Sequence, residues 1–386
     1  MGDLEVYLKI TNVETLPVDK YLFVRIHTDE GILGVGESGA WGFLEPSEAA
    51  IKKFGQYLLG KDPLLIEHHW QYMYRSSHFR GAAIMGAISA LDIAMWDIAG
   101  KFFNVPVYQL LGGKTRDKAR VYCHVFGDTR EKLLEGIKSA RAEGFTAVGH
   151  LTPFLDEDRN TPYFKTHASK INDAIEAVRL YRDAAGTDVD LCIEIHRRLN
   201  PAEAIVLARG IEEFHPLFYE DPILPDNFDA MALVSNNISI PIATGERLHT
   251  IQEFEMLLAR GAVQYVRPDV CLAGGITHVK KIAALAEAHY VGVVPHNPLG
   301  PVSTAACLQI GAAIPNFTIQ EYPLGELEPP KSDIVKEPLV LEDGFLLIPD
   351  KPGIGMELNE DALEEYPPVP REVHSRLHVD GSVVDE

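Results

Sequence analysis

Residues 190–223, DLCIEIHRRLNPAEAIVLARGIEEFHPLFYEDPI, decide the fold. A short apolar strand, DLCIEIH, gives way to an amphipathic helix, PAEAIVLARGIEEF, and the chain then enters a second apolar strand, LFYEDPI. The same rhythm extends in both directions. Upstream stand VYCHVFG (121–127) and TAVGHLT (146–152); downstream stand IPIATGE (240–246), VQYVRPDV (263–270), VGVVPHN (291–297) and FTIQEY (317–322). These are eight strand candidates, with helices such as EKLLEGIKSARAEG (131–144), AIEAVRLYRDAAG (174–186) and ITHVKKIAALAEAH (276–289) between them. Evenly spaced βα repeats that close on themselves make a barrel, whereas an open doubly wound sheet rarely runs to eight.

Before residue 120 the pattern differs. VYLKITNVETL (6–16), YLFVRIHTDEG (21–31) and ILGVGES (32–38) read as an antiparallel meander. From about 46 to 112 the period is helical, clearest in AAIMGAISALDIAMWDIAGKFF (82–103). The expected division is an α+β unit over 1–118, a barrel over 119–322, and a segment over 323–386 that returns to the first unit. A chain of 386 residues has room for such a large domain with a smaller one attached.

Composition narrows the function. Apolar residues at 46% and charged residues at 24% are ordinary for a globular enzyme. A formal charge of −21 argues against nucleic acid, whose phosphates need clustered Lys and Arg. Cys123, Cys192, Cys271 and Cys307 are far apart and form no Cys-x-x-Cys pair, so buried free thiols are expected. The N-terminus lacks the flank and apolar run of a signal peptide, and no 18-residue apolar stretch is read. A cytoplasmic protein with no membrane partner is therefore expected.

The informative residues stand where successive strands end, the face on which barrels carry their catalytic groups. In order these are Glu194, Glu220, Glu246, Asp269, His296 and Glu321, spaced 23 to 27 residues apart, one repeat per step. Single acidic residues at such places also serve as helix caps or turn residues. Three in register, Glu194, Glu220 and Glu246, would repel one another without a cation, and an all-oxygen set favours Mg²⁺, with Mn²⁺ as a substitute, over zinc. His296 and Asp269, on neighbouring strands, can form a dyad in which the carboxylate orients an imidazole base. His196, two residues beyond Glu194, shares its face by alternation and can donate a proton to a leaving hydroxyl or bind a substrate hydroxyl.

This ordered set resembles the enolase superfamily, in its mandelate racemase-like group, along nearly the whole chain. IEIHRR, FYEDPIL, TGERL, RPDVCLAGGIT and VPHNPLGPVSTAACLQI are similar to the galactonate dehydratase branch of sugar-acid dehydratases. The resemblance implies a (β/α)₇β modified TIM barrel under an N-terminal α+β cap completed by the C-terminal tail. It implies Mg²⁺-dependent dehydration of an aldonic acid to its 2-keto-3-deoxy product, through C2 proton abstraction and an enediolate. His296 backed by Asp269 would be the base, His196 the acid, and Glu321 a hydrogen-bonding partner of the substrate carboxylate. Trp41 and Arg80 in the cap would select the distal end of the substrate, and Glu246 would border the substrate as well as the metal. A homo-oligomer is expected on the same ground.

Two features depart from the pattern. Many relatives carry Lys-x-Lys at the end of the second barrel strand, where this chain has Gly149 and Leu151; His150 between them is expected to point away from the barrel axis. Losing a base there weakens an epimerase or racemase, which needs one on each face of the α-carbon. Glu194 replaces an Asp and carries its carboxylate a bond further out. The long loop TPFLDEDRNTPYFKTHASK (152–170) is expected to reach the substrate through Tyr163 or Lys165. Alternatives to the dehydratase are an epimerase of a related hydroxy acid and a silent sugar-acid-binding homologue.

Overall fold

A computed structural model describes residues 8–76, 78–154, 157–158, 160–323 and 325–385. Val6 and Tyr7 of the first expected strand, and Leu155, Asp156 and Arg159 of the long loop, lie outside them.

The chain begins with an antiparallel sheet of β1 (Ile10–Val18), β2 (Tyr21–Thr28) and β3 (Leu33–Glu37) in that order. Three helices follow: α1 (Leu44–Leu58), α2 (Ile66–Ser76) and α3 (Ala82–Phe102). The sheet lies hard against α3. A Cβ on Gly36 would come within 1.9 Å of the Ala90 carbonyl oxygen, and one on Gly34 within 2.1 Å of that of Ala94, so only glycine permits the approach. The sequence reading missed one property of α3. Residues 82–103 are long and apolar enough to cross a membrane, contrary to the expectation that no such run exists, yet most of this helix is buried in the protein. It packs against β3, α1 and α10.

After a short helix, α4 (Val107–Leu110), the chain enters the barrel. Its strands are β4 (Lys118–His124), β5 (Ala147–Leu151), β6 (Asp190–Glu194), β7 (Phe218–Glu220), β8 (Ile242–Thr244), β9 (Tyr265–Val266), β10 (Gly292–Val293) and β11 (Gln320–Tyr322). Each pairs in parallel with the next, from β4 through β10, and β11 pairs back onto β4. The remaining seam, between β10 and β11, is one bridge, Val293 to Phe317, flanked by backbone bonds of 2.8 and 2.9 Å. Seven helices fill the crossovers: α5 (Arg130–Ala142), α6 (His167–Ala185), α7 (Pro201–Ile211), α8 (Phe228–Ser235), α9 (Ile251–Leu258), α10 (Gly275–Ala288) and α11 (Pro301–Ala313). Their starts are chemically marked. Asn200 with Glu203, and Thr250 with Glu253, form reciprocal capping boxes, and Pro201 fills the first helical position of α7.

Among the described residues no barrel helix follows β11, so the architecture is (β/α)₇β. Beyond it a hairpin, β12 (Leu341–Glu342) and β13 (Phe345–Leu347), adds antiparallel to β4 at its entrance. The last segment then touches both units. Asp19 of the first sheet exchanges backbone hydrogen bonds with Tyr366 and Val369, and Tyr163 of the β5–α6 loop does so with Leu377 and Val379.

The barrel interior is filled by Tyr122, Ala147, Cys192, Phe218, Ala243, Val294 and Ile319, one from each of several strands. All four cysteines are buried and free. The opposite, C-terminal end of the strands opens under the cap.

Candidate active site

The mouth of the barrel holds a cavity of about 1220 Å³, walled below by strand ends and above by Lys20, Tyr21 and Trp41 of the first unit and Arg371 of the tail. At its floor Glu194 and Glu220 end adjacent strands in register, and Glu246 follows β8 after one glycine. One carboxylate oxygen from each lies within 4.8 Å of the others. Such a group of acids is stable only beside positive charge. Burial and the neighbouring charges of Glu194, Glu321 and Glu246 push Glu220 well above the usual carboxylate range, with Arg267 opposing them. The donor set is all oxygen and converges on one point, which fits a hard divalent ion.

Cations already crowd this floor. Arg267, almost wholly buried, stands 2.5 Å from Glu220 and 2.6 Å from Glu321, and donates to the Tyr122 hydroxyl at 2.8 Å. Arg197 reaches Glu246 at 2.6 Å. His150 Nδ1 lies 2.7 Å from Glu194 Oε2. Burial favours the neutral form of Glu194, but His150 outweighs it and holds the carboxyl well below its ordinary range.

Asp269 and His296 stand on neighbouring strand ends, joined Oδ2 to Nδ1 at 2.8 Å. Asp269 also accepts the Cys271 N–H at 2.8 Å, which fixes its carboxylate. His296 Nε2 turns toward the floor, 3.4 Å from Glu246 Oε2. Burial opposes its charge, but Glu246, Glu321 and Asp269 together push it up to about 9. His196 faces the same floor, Nε2 3.8 Å from Glu194 Oε1, and burial lowers its basicity. It arrives there by a route other than strand alternation. β6 stops at Glu194, and His196 and Arg197 both take positive φ, 57° and 68°.

Glu321 lines the cavity, but its oxygens are engaged. Oε1 meets His124 Nε2 at 2.7 Å, and Oε2 accepts from Arg267 and from the Asn297 N–H, at 2.6 and 2.7 Å. Burial would raise it, but Arg267, His296 and His124 outweigh that and hold it ionised. Both oxygens of Glu321 are thus taken up by contacts within the protein.

The cap and loop residues divide. Trp41 is at the mouth with the Arg371 guanidinium 3.5 Å from its ring centroid. Arg80 is exposed and stacks on Tyr74 at 4.3 Å, away from the cavity wall. Tyr163 is also off the wall. Its buried ring lies between the guanidiniums of Arg198 and Arg376, at 4.6 and 4.9 Å, where it ties the loop to the tail. Lys165 pairs with Glu157 and Asp173 at 3.1 and 3.0 Å.

Three residues that sequence reasoning passed over belong to this floor, His124, Arg197 and Arg267, and a fourth, His150, was expected to point away from it. Arg267 was the most accessible, because it lies two residues before Asp269 and alternation puts both on one face. His150 reverses its expected direction. It takes φ 55°, the β5–β6 register slips between Val148 and Leu151, and the ring swings into the cavity.

Two family profiles meet on this architecture. The mandelate racemase / muconate lactonizing enzyme N-terminal domain matches residues 7–112, and the enolase C-terminal domain-like family matches residues 134–362. The chain belongs to the enolase superfamily. Similar proteins include the D-galactonate dehydratases of Xanthomonas campestris and Variovorax paradoxus, each 38% identical, and of Cronobacter sakazakii, 35% identical. Each match covers 98% of this chain and 100% of the relative. Among solved structures, an enolase-superfamily member from Salmonella Typhimurium is 33% identical, with a TM-score of 0.87 over 93% of this chain and 98% of that one. An enolase from Agrobacterium radiobacter with bound sodium and L-malate, a proposed galactarate dehydratase, is 31% identical, with a TM-score of 0.90 over 97% and 99%.

Proposed function

We propose that this superfamily member is a sugar-acid dehydratase, a carbon–oxygen lyase that removes water from an aldonate of the galactonate type to give a 2-keto-3-deoxy acid. Full-length identity to proteins of one name supports the class. The observation that carries the chemistry is the placement of two imidazoles around one carboxylate floor: His296, backed by Asp269, and His196, beside Glu194.

Glu194, Glu220 and Glu246 would hold Mg²⁺, with Mn²⁺ as a substitute. A bound ion would supply fixed positive charge where the substrate's carboxylate gains enediolate character, and would cancel the carboxylate charge that keeps His296 protonated. His296 accepts the C2 proton at Nε2, since Nδ1 is committed to Asp269. His196 gives its proton to the departing 3-hydroxyl. Arg267 and His124 meet the substrate carboxylate, with Glu321 anchoring both. The substrate's far end reaches Trp41 and Arg371.

His150 supports a second reading. The expectation that the second barrel strand offers no basic group toward the site does not hold, because this imidazole faces the cavity. An epimerase would exchange the α-proton without losing water.

The test is purified protein with Mg²⁺ against stereoisomeric hexonates, pentonates and hexarates, with semicarbazide absorbance reading keto-acid formation. Turnover that EDTA stops and Mg²⁺ restores is the expected result. Deuterium uptake at C2 without keto acid would transfer the assignment to an epimerase, and ligand binding with neither would leave a binding protein.

A further inference from the structure

Glu194, one methylene longer than an aspartate, is met by the residue that follows Gly149. Position 149 points into the barrel, and a Cβ there would sit 2.3 Å from the Tyr122 ring, so it carries no side chain into the site. The next residue supplies one instead. Left-handed backbone at His150 turns its ring over the strand end, where it packs against Phe126 at 4.6 Å and nearly parallel to His124 at 5.2 Å. His124 is itself fixed by Glu321. The ring so held directs Nδ1 at Glu194 Oε2, 2.7 Å away.

We propose that His150 is a positioning residue for the metal: its Nδ1–H holds one oxygen of Glu194 and leaves the other for the ion. This rests on the reading of Glu194 as a ligand. A glutamate has one more rotatable bond than an aspartate, so its carboxylate is less well placed unless something outside the coordination sphere restrains it. The added methylene also brings the carboxylate within reach of His150. The longer ligand and its imidazole restraint thus depend on each other.

The experiment is calorimetric titration of the full-length protein with Mn²⁺, without substrate, for wild type, H150F, H150L, H150N, E194D and the double variant E194D/H150F. Loss of the donor in H150F and H150L is expected to weaken Mn²⁺ binding by about tenfold or more. Asn presents an amide N–H close to the position of Nδ1, so H150N should recover most of the affinity. E194D should also bind weakly, and H150F added to it should cost nothing further, because the shorter carboxylate does not reach the imidazole. Wild-type binding that neither H150F nor H150L alters, or an additive double variant, overturns the inference. A wild-type protein that takes up no Mn²⁺ overturns the metal-site reading and this inference with it.

Discussion

His296 and Asp269 end adjacent barrel strands and are joined Nδ1 to Oδ2 at 2.8 Å, which commits one imidazole nitrogen to the protein and leaves Nε2 facing the carboxylate floor. Which nitrogen is free to take a proton is set by that bond. Asp269→Asn keeps the shape but presents an amide that can donate to Nδ1 and reverse the tautomer. We expect kcat to fall by about 10²-fold or more while Mn²⁺ affinity hardly changes, since Asp269 is outside the three-glutamate cluster. Kinetics and a metal titration on the same preparation check this; an unimpaired kcat would remove Asp269 from the mechanism.

The two imidazoles assigned to proton transfer, His296 and His196, have separable duties. His296→Asn should abolish both keto-acid formation and C2 deuterium exchange, because it removes the imidazole that Asp269 orients toward the floor. His196→Asn should abolish keto-acid formation yet leave C2 exchange, since it removes the acid for the leaving hydroxyl and spares the base. Proton NMR in deuterated buffer distinguishes them. Exchange that survives in His296→Asn but not in His196→Asn would invert the assignment.

The positions that carry this site were legible where periodicity governed them. Glu194, Glu220 and Glu246 recur at one βα repeat per step, so the barrel's own period brings them together. His150 was not legible for the same reason inverted. Alternation points it outward, and only its φ of 55° turns it in, a conformation that only a few per cent of non-glycine residues adopt. Arg80 and Tyr163 failed differently, because they lie on loops whose paths no repeat dictates. Tyr163 is drawn inward by Arg198 and Arg376, the latter more than 200 residues away in the chain.

Arg371 brings the tail to the cavity mouth. Its guanidinium covers Trp41 at the cavity mouth, and burial alone draws its basicity down, with no carboxylate acting to restore it. A planar donor of that kind suits an oxygen-rich substrate end. Arg371→Ala should raise KM by about tenfold with kcat nearly constant, the mark of a contact made equally in ground and transition states. A fall in kcat at constant KM would place its role in the reaction step instead.

Stability should depend on acid through a group far from the site. His278, in the first turn of α10, stacks on Trp70 of α2 with ring centroids 3.4 Å apart, and neither of its nitrogens has a hydrogen-bond partner among the described residues. Burial, aided by Lys281 and partly opposed by Glu67, pushes its pKa down to about 3. The folded protein therefore keeps this ring neutral, while the unfolded chain binds a proton below about 6.5. Between those values the unfolded state holds more protons, so stability is full above pH 6.5 and declines as the pH falls toward 3. From pH 7 to 4.5 this one ring should account for about 2 kcal/mol of the loss. His278→Phe preserves an aromatic stack on Trp70 and cannot titrate. Urea unfolding at both pH values should show the variant losing less stability than the wild type by that amount, because the carboxylates that titrate in the same range are common to both. Equal losses would mean that His278 is hydrated enough to charge without unfolding the interface between α2 and α10.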